Sequence, residues 1–181
     1  MNAVRFVIRW WVAFALLASV AMLAVAFAFQ YLGGLQPCHL CMEQRYVYGF
    51  AIAISLPATL WALFFRSKGT PKLAALLLTG VFITGAIVAT FHAGVELKWW
   101  PGPSSCTGGA GNLDNLQAKL SDIMRGGKIN TPMCDVIAWQ WGGLSMAGWN
   151  AVASVILALI SLIASIRKKA GLKEGVGEGL E

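Results

Sequence analysis

Cys38, His39, Leu40 and Cys41 form a C-x-x-C pair, and Arg45 follows Cys41 by four residues. Two thiols at this spacing can close a structural disulfide, supply half of a zinc site, or cycle between dithiol and disulfide. The other cysteines are Cys106 and Cys134. Four-cysteine zinc sites come as two short-spaced pairs. The second pair here is widely separated, so zinc is disfavoured and no metal is expected. Structural disulfides stay open at this level, in any of three connectivities.

Local physics favours redox cycling. A helix starting near Cys41 or Met42 would turn its N-terminal amides and dipole toward a thiolate there. Arg45 lies four residues beyond Cys41, on the same helical face. Its permanent charge suits a thiolate or an anionic ligand. Without the cysteines, Arg45 would read as a snorkelling arginine paired with Glu43 or lipid headgroups. His39 either tunes Cys38 or is a solvated loop residue.

These groups need a frame. Of 181 residues, 57% are hydrophobic and 12% charged, against about 45–50% and about 25% in soluble domains. That composition predicts an all-α membrane protein, a bundle of four transmembrane helices forming one domain over residues 1–169. The net charge of +6 does not point to nucleic acid, because the basic residues flank apolar runs, where they face headgroups. Apolar runs place spans at about 10–31, 46–65, 73–95 and 145–166. The first exceeds the roughly 7–15-residue apolar region of a signal peptide, despite small-x-small sites at Ala24–Ala26 and Ala26–Ala28, so it reads as a retained span. Pro57 should kink the second. Small residues (Gly80, Gly85 and Ala89; Ala147, Ala151 and Ser154) permit close helix approach.

Lys and Arg cluster before the first span, around residues 66–72 and at 167–169. An even number of spans puts all three clusters on one side, the cytoplasm by the positive-inside rule. Segments 32–45 and 96–144, with all four cysteines, then face outward. Trp99, Trp100, Trp139, Trp141 and Trp149 mark the outer boundary, and Trp10, Trp11 and Trp61 the inner one. The long outer loop opens with Pro and Gly. It then carries Leu113, Leu116, Leu120, Ile123 and Met124 at helical spacing, which predicts a short amphipathic helix lying on the membrane or on the bundle. Residues 170–181, rich in Gly and Glu, read as a disordered cytoplasmic tail.

The run Pro37-Cys38-His39-Leu40-Cys41-Met42-Glu43-Gln44-Arg45, on a four-span chain with two later cysteines in one outer loop, resembles the DsbB family of disulfide bond formation proteins. The resemblance covers nearly the whole chain. It implies a quinone-dependent membrane thiol oxidase of the bacterial inner membrane. Such a protein reoxidises a periplasmic thioredoxin-fold partner like DsbA, within the DsbA–DsbB–quinone system that keeps the periplasm oxidising. Carried over by position, Cys38 and Cys41 are the membrane-proximal redox pair, with Cys41 facing the quinone. Cys106 and Cys134 are the loop pair, with Cys106 attacked by the partner. Arg45 and His92 lie at the quinone site, for ubiquinone or menaquinone. DsbA is itself a strong oxidant, at about −120 mV, so its reoxidation needs a stronger terminal acceptor, which a quinone provides. Two other classes share parts of this pattern. Vitamin K epoxide reductase-type enzymes place the C-x-x-C on a late span, after the loop cysteines. A scaffold with structural disulfides needs neither Arg45 nor quinone.

Overall fold

Apolar runs in hydrocarbon leave the backbone no hydrogen-bond partner but itself, so each run closes its own bonds as an α-helix. The computed structural model describes residues 3–64, 71–103, 124 and 133–166. Its helices are α1 (Ala3–Arg9), α2 (Trp11–Tyr31), α3 (His39–Phe64), α4 (Lys72–Glu96) and α5 (Met146–Ile166). The last four have 21, 26, 25 and 21 residues and are long and apolar enough to cross a membrane. At about 1.5 Å per residue they extend for about 32 to 39 Å. The four-helix membrane bundle expected from the sequence is therefore present. The expected amphipathic helix falls almost entirely outside the described residues, and so do Cys106, the basic residues from Arg66 to Lys68 and the C-terminal tail.

α4 packs on α5 and α3, and α3 packs on α2. Trp11, Tyr48, Ala51, Ala75, Leu78, Phe82 and Ala158 form the main core. Gly85 lets three helices converge: a Cβ there would stand 3.0 Å from Val47 Cγ1 and 3.3 Å from Ser154 Oγ. Trp11 Nε1 donates to Ser161 Oγ at 2.8 Å, tying α2 to α5.

Three local features differ from the sequence reading. α3 begins at His39, ahead of both Cys41 and the apolar run from Tyr46. Gln44 and Arg45, in its first two turns, are hydrogen-bonded to other helices of the bundle, so hydropathy understates its length. Residues 3–9 form a separate short helix where only a basic flank was read. Gln140–Trp141 (β1) and Leu144–Ser145 (β2) pair antiparallel immediately before α5. Gly142 and Gly143, with φ of 59° and 83°, make the two-residue turn that needs left-handed backbone at both positions.

α4 ends in a Schellman turn. Lys98 takes φ 61°, its N–H reaches Val95 O at 3.1 Å, and Trp99 N–H reaches Gly94 O at 2.9 Å. The chain reverses, and Trp100 lies over Gly94 and stacks on Phe91 with ring centroids 5.9 Å apart.

Candidate functional site

Cys38 is the residue before α3, and its carbonyl accepts Met42 N–H at 3.1 Å. Its sulfur takes the place of a capping oxygen, accepting Cys41 N–H at 3.3 Å. The helix N-terminus thus addresses Cys38 first, three residues ahead of the sequence expectation, and Cys41 sits in the first turn. The two sulfurs are 2.8 Å apart and both are free thiols. Cys38 is buried, while Cys41 is partly exposed. The hydrogen bond to Cys41, then burial, push the Cys38 thiol above its ordinary value, against a smaller pull from the Cys41 and Leu40 amides.

Cys134 is disulfide-bonded and fully buried, in one cluster with Cys38, Leu40 and Val95, against which Cys41 packs. The fold therefore brings the only described loop cysteine to the C-x-x-C pair. Nearby, Lys98 Nζ lies 2.6 Å from Asp135 Oδ2 and holds that carboxyl below its ordinary range. This pair joins the end of α4 to the segment carrying Cys134.

His92, near the end of α4, is 4% exposed. Its Nε2 is 3.6 Å from Cys38 Sγ and 3.9 Å from Glu96 Oε1, and its Nδ1 is 2.8 Å from Gln44 Nε2. Asn150 Nδ2 donates to Gln44 Oε1, and Tyr48 O–H donates to Asn150 Oδ1 and contacts Ser154 Oγ. Glu96 in turn accepts from Ser145 Oγ. Sequence reading placed His92 at the site but not Gln44, Tyr48, Glu96 or Asn150. Gln44 and Asn150, amides in otherwise apolar membrane helices, were the signal.

Arg45 faces α2. Its Nη1 donates to Gln30 Oε1 at 2.5 Å, its Nη2 donates to Ala26 O at 3.2 Å, and its Cζ stands 5.0 Å from the Phe27 ring centre. Its described partners do not include Glu43, which instead lies 4.0 Å from His39 Nε2. His39 is exposed and sits on the outer side of the turn.

Cys38, Cys41, Gln44, Arg45, His92 and Glu96 line one cavity of about 430 Å³. Its walls include Met22, Phe29, Val136, Trp139 and Trp149 from α2, the returning loop and α5. The volume lies within the roughly 300–1,000 Å³ of small-molecule sites, and apolar walls with a few convergent polar groups are their usual makeup. A flat apolar ring with carbonyl acceptors fits this lining: aromatic and aliphatic walls for the ring, Arg45 for an oxygen. The sulfurs of Cys38 and Cys41 and a ring nitrogen of His92 also lie within 4.8 Å of one another, a set that would suit a thiophilic cation by residue type.

A family model described as "Disulfide bond formation protein DsbB" matches residues 8–164. Curated relatives agree along most of their length. Disulfide bond formation protein B of Paracidovorax citrulli is 33% identical over 159 residues, covering 83% of this chain and 82% of that protein. The protein of the same description from Herminiimonas arsenicoxydans is 31% identical over 163 residues, covering 84% and 92%. Disulfide bond formation protein B 2 of Pseudomonas entomophila is 30% identical over 151 residues, covering 82% and 84%.

Proposed function

The chain belongs to the DsbB family of disulfide bond formation proteins, and on that premise we propose that it reoxidises a DsbA-like dithiol in the periplasm and passes the electrons to a membrane quinone. One observation carries this reading. A disulfide-bonded Cys134 and the free pair Cys38–Cys41 share a buried cluster at the mouth of an apolar cavity. A scaffold with static cross-links has no use for an unpaired dithiol at a ligand-sized cavity.

In this reading Cys106 and Cys134 form the loop pair that the family resemblance implies. In the proposed route the inner pair is first oxidised by the quinone to a Cys38–Cys41 disulfide. The partner's thiolate attacks Cys106 and releases Cys134, and the Cys134 thiolate then attacks Cys38, breaking the Cys38–Cys41 bond and releasing Cys41 as a thiolate. Each exchange forms one S–S bond and breaks another, moving one electron pair inward. When bound, a quinone supplies a two-electron, two-proton sink. Arg45, Cys41 and His92 would hold it, with Arg45 offering its fixed charge to a quinone oxygen. Burial between α2, α4 and α5 keeps bulk water and stray thiols from the inner pair. The basic flanks support a topology with both termini in the cytoplasm and the cysteines on the periplasmic side of the inner membrane.

The test uses the full chain in detergent with a quinone and a reduced thioredoxin-fold partner, following quinone absorbance. Quinone reduction is expected to be lost in Cys41→Ser and in Cys106→Ser. Rates unchanged in both variants would refute the route.

A further inference from the structure

Hydrogen bonds inside the bundle have a direction, and here the direction has a chemical result. Tyr48 O–H donates to Asn150 Oδ1, leaving Asn150 Nδ2 to donate to Gln44 Oε1. Gln44 therefore presents its amide nitrogen, which can only donate, to His92 Nδ1 at 2.8 Å. A neutral imidazole that accepts at Nδ1 carries its hydrogen on Nε2. The neighbours of the ring agree. Nε2 faces Cys38 Sγ at 3.6 Å and Glu96 Oε1 at 3.9 Å, and the Cys134 backbone is a further partner of the imidazole. A carboxylate beside Nε2 favours the hydrogen at that nitrogen. Arg45, which lines the same cavity, is engaged with α2.

We propose that Tyr48, Asn150 and Gln44 are positioning residues that lock His92 as an Nε2–H donor to Cys38 Sγ, making Cys38 a stabilised leaving sulfur in disulfide exchange. When a thiolate attacks the sulfur bonded to Cys38, a new S–S bond forms on that sulfur. The bond to Cys38 breaks, and its electron pair stays on Cys38 Sγ. Two donors meet the pair there, His92 Nε2–H and Cys41 N–H. The need for them is specific to this sulfur. Burial disfavours a thiolate on Cys38, and a sulfur whose anion is disfavoured leaves slowly unless that anion is stabilised. The same lock withholds a lone pair from the cation site that Cys38, Cys41 and His92 would otherwise form, because the imidazole lone pair faces Gln44.

The inference rests on Cys38–Cys41 as the redox pair but is read without quinone or partner. The protein, ¹⁵N-labelled at histidine in detergent, has two histidines, and His39→Gln assigns His92 by difference. The expected spectrum shows Nε2 protonated and Nδ1 bare. Gln44→Glu, whose carboxylate can only accept, is expected to move the hydrogen to Nδ1. Gln44→Met, uncharged, is expected to give a mixture. In a Cys106→Ser/Cys134→Ser background, dithiothreitol should reduce the Cys38–Cys41 disulfide about tenfold more slowly in Gln44→Glu. Gln44→Met should fall between that variant and the parent, following the Nε2–H population. A wild-type His92 protonated at Nδ1 would overturn the lock. Exchange at the parental rate despite a moved hydrogen would overturn its role. Absence of any exchange in the parent would instead refute the redox reading on which the role depends.

Discussion

Arg45 Nη1 donates to Gln30 Oε1 at 2.5 Å, so the cation one turn beyond Cys41 is fixed by the end of α2 and not by a neighbour on its own helix. Replacing Arg45 with Ala is expected to raise the quinone concentration for half-maximal rate by about tenfold to a hundredfold. This corresponds to losing a charge-assisted contact worth about 1.5–3 kcal/mol. Gln30→Leu should give a smaller rise in the same direction, since the guanidinium survives but loses its anchor. Initial rates against quinone concentration decide it. An unchanged half-saturation in Arg45→Ala would remove Arg45 from the site.

Cys134 and Cys38 share a buried cluster, so they should cross-link when their usual partners are removed. In Cys41→Ser/Cys106→Ser, mild oxidation is expected to give a Cys38–Cys134 disulfide, seen in non-reducing peptide maps. Two persistently free thiols would show that the inner and loop pairs do not exchange.

Gly94 has no room for a side chain: a Cβ would lie 2.0 Å from the Trp100 ring. Gly94→Ala is expected to displace Trp100, break its Nε1–H bond to Phe91 O and destabilise by about 1–3 kcal/mol. Thermal unfolding in detergent with tryptophan emission reads both effects. A wild-type spectrum and midpoint would mean that the indole does not rest on α4 in solution.

The Lys98–Asp135 pair gives an acid-side prediction. Lys98 depresses the Asp135 carboxyl from its ordinary 3.8. The link is therefore complete above about pH 4 and is lost as pH falls through the depressed value. Footprinting of residues 133–139 should show protection at pH 5–7 and exposure at strongly acid pH, while Lys98→Met should be exposed throughout. Equal protection in both proteins would assign the anchoring to other contacts.

Four spans were legible because length and apolarity in hydrocarbon have one solution, and Cys41 and Arg45, four residues apart on α3, do line one cavity. The start of α3 was not. Glu43, Gln44 and Arg45 look like loop by hydropathy, yet Gln44 is buried against His92 and Asn150. Sequence gives no way to see a partner on another helix. His92 was reachable through resemblance, but Glu96 looked like the first loop residue when it is the last of α4, with its carboxylate turned inward to Ser145. The hairpin before α5 was announced by Gly142-Gly143 alone, since strands of two residues carry no period to read.

Asn150 belongs to the last helix of the chain, and Gln44 and His92 belong to earlier ones. During synthesis the first three spans enter the membrane with Gln44 Oε1 still lacking its donor. The imidazole then has no enforced tautomer until α5 docks. If the proposed lock holds, a chain without α5 has its inner cysteines but not the arrangement that favours their exchange. Under the proposed lock, the full rate of exchange arrives only with the complete bundle.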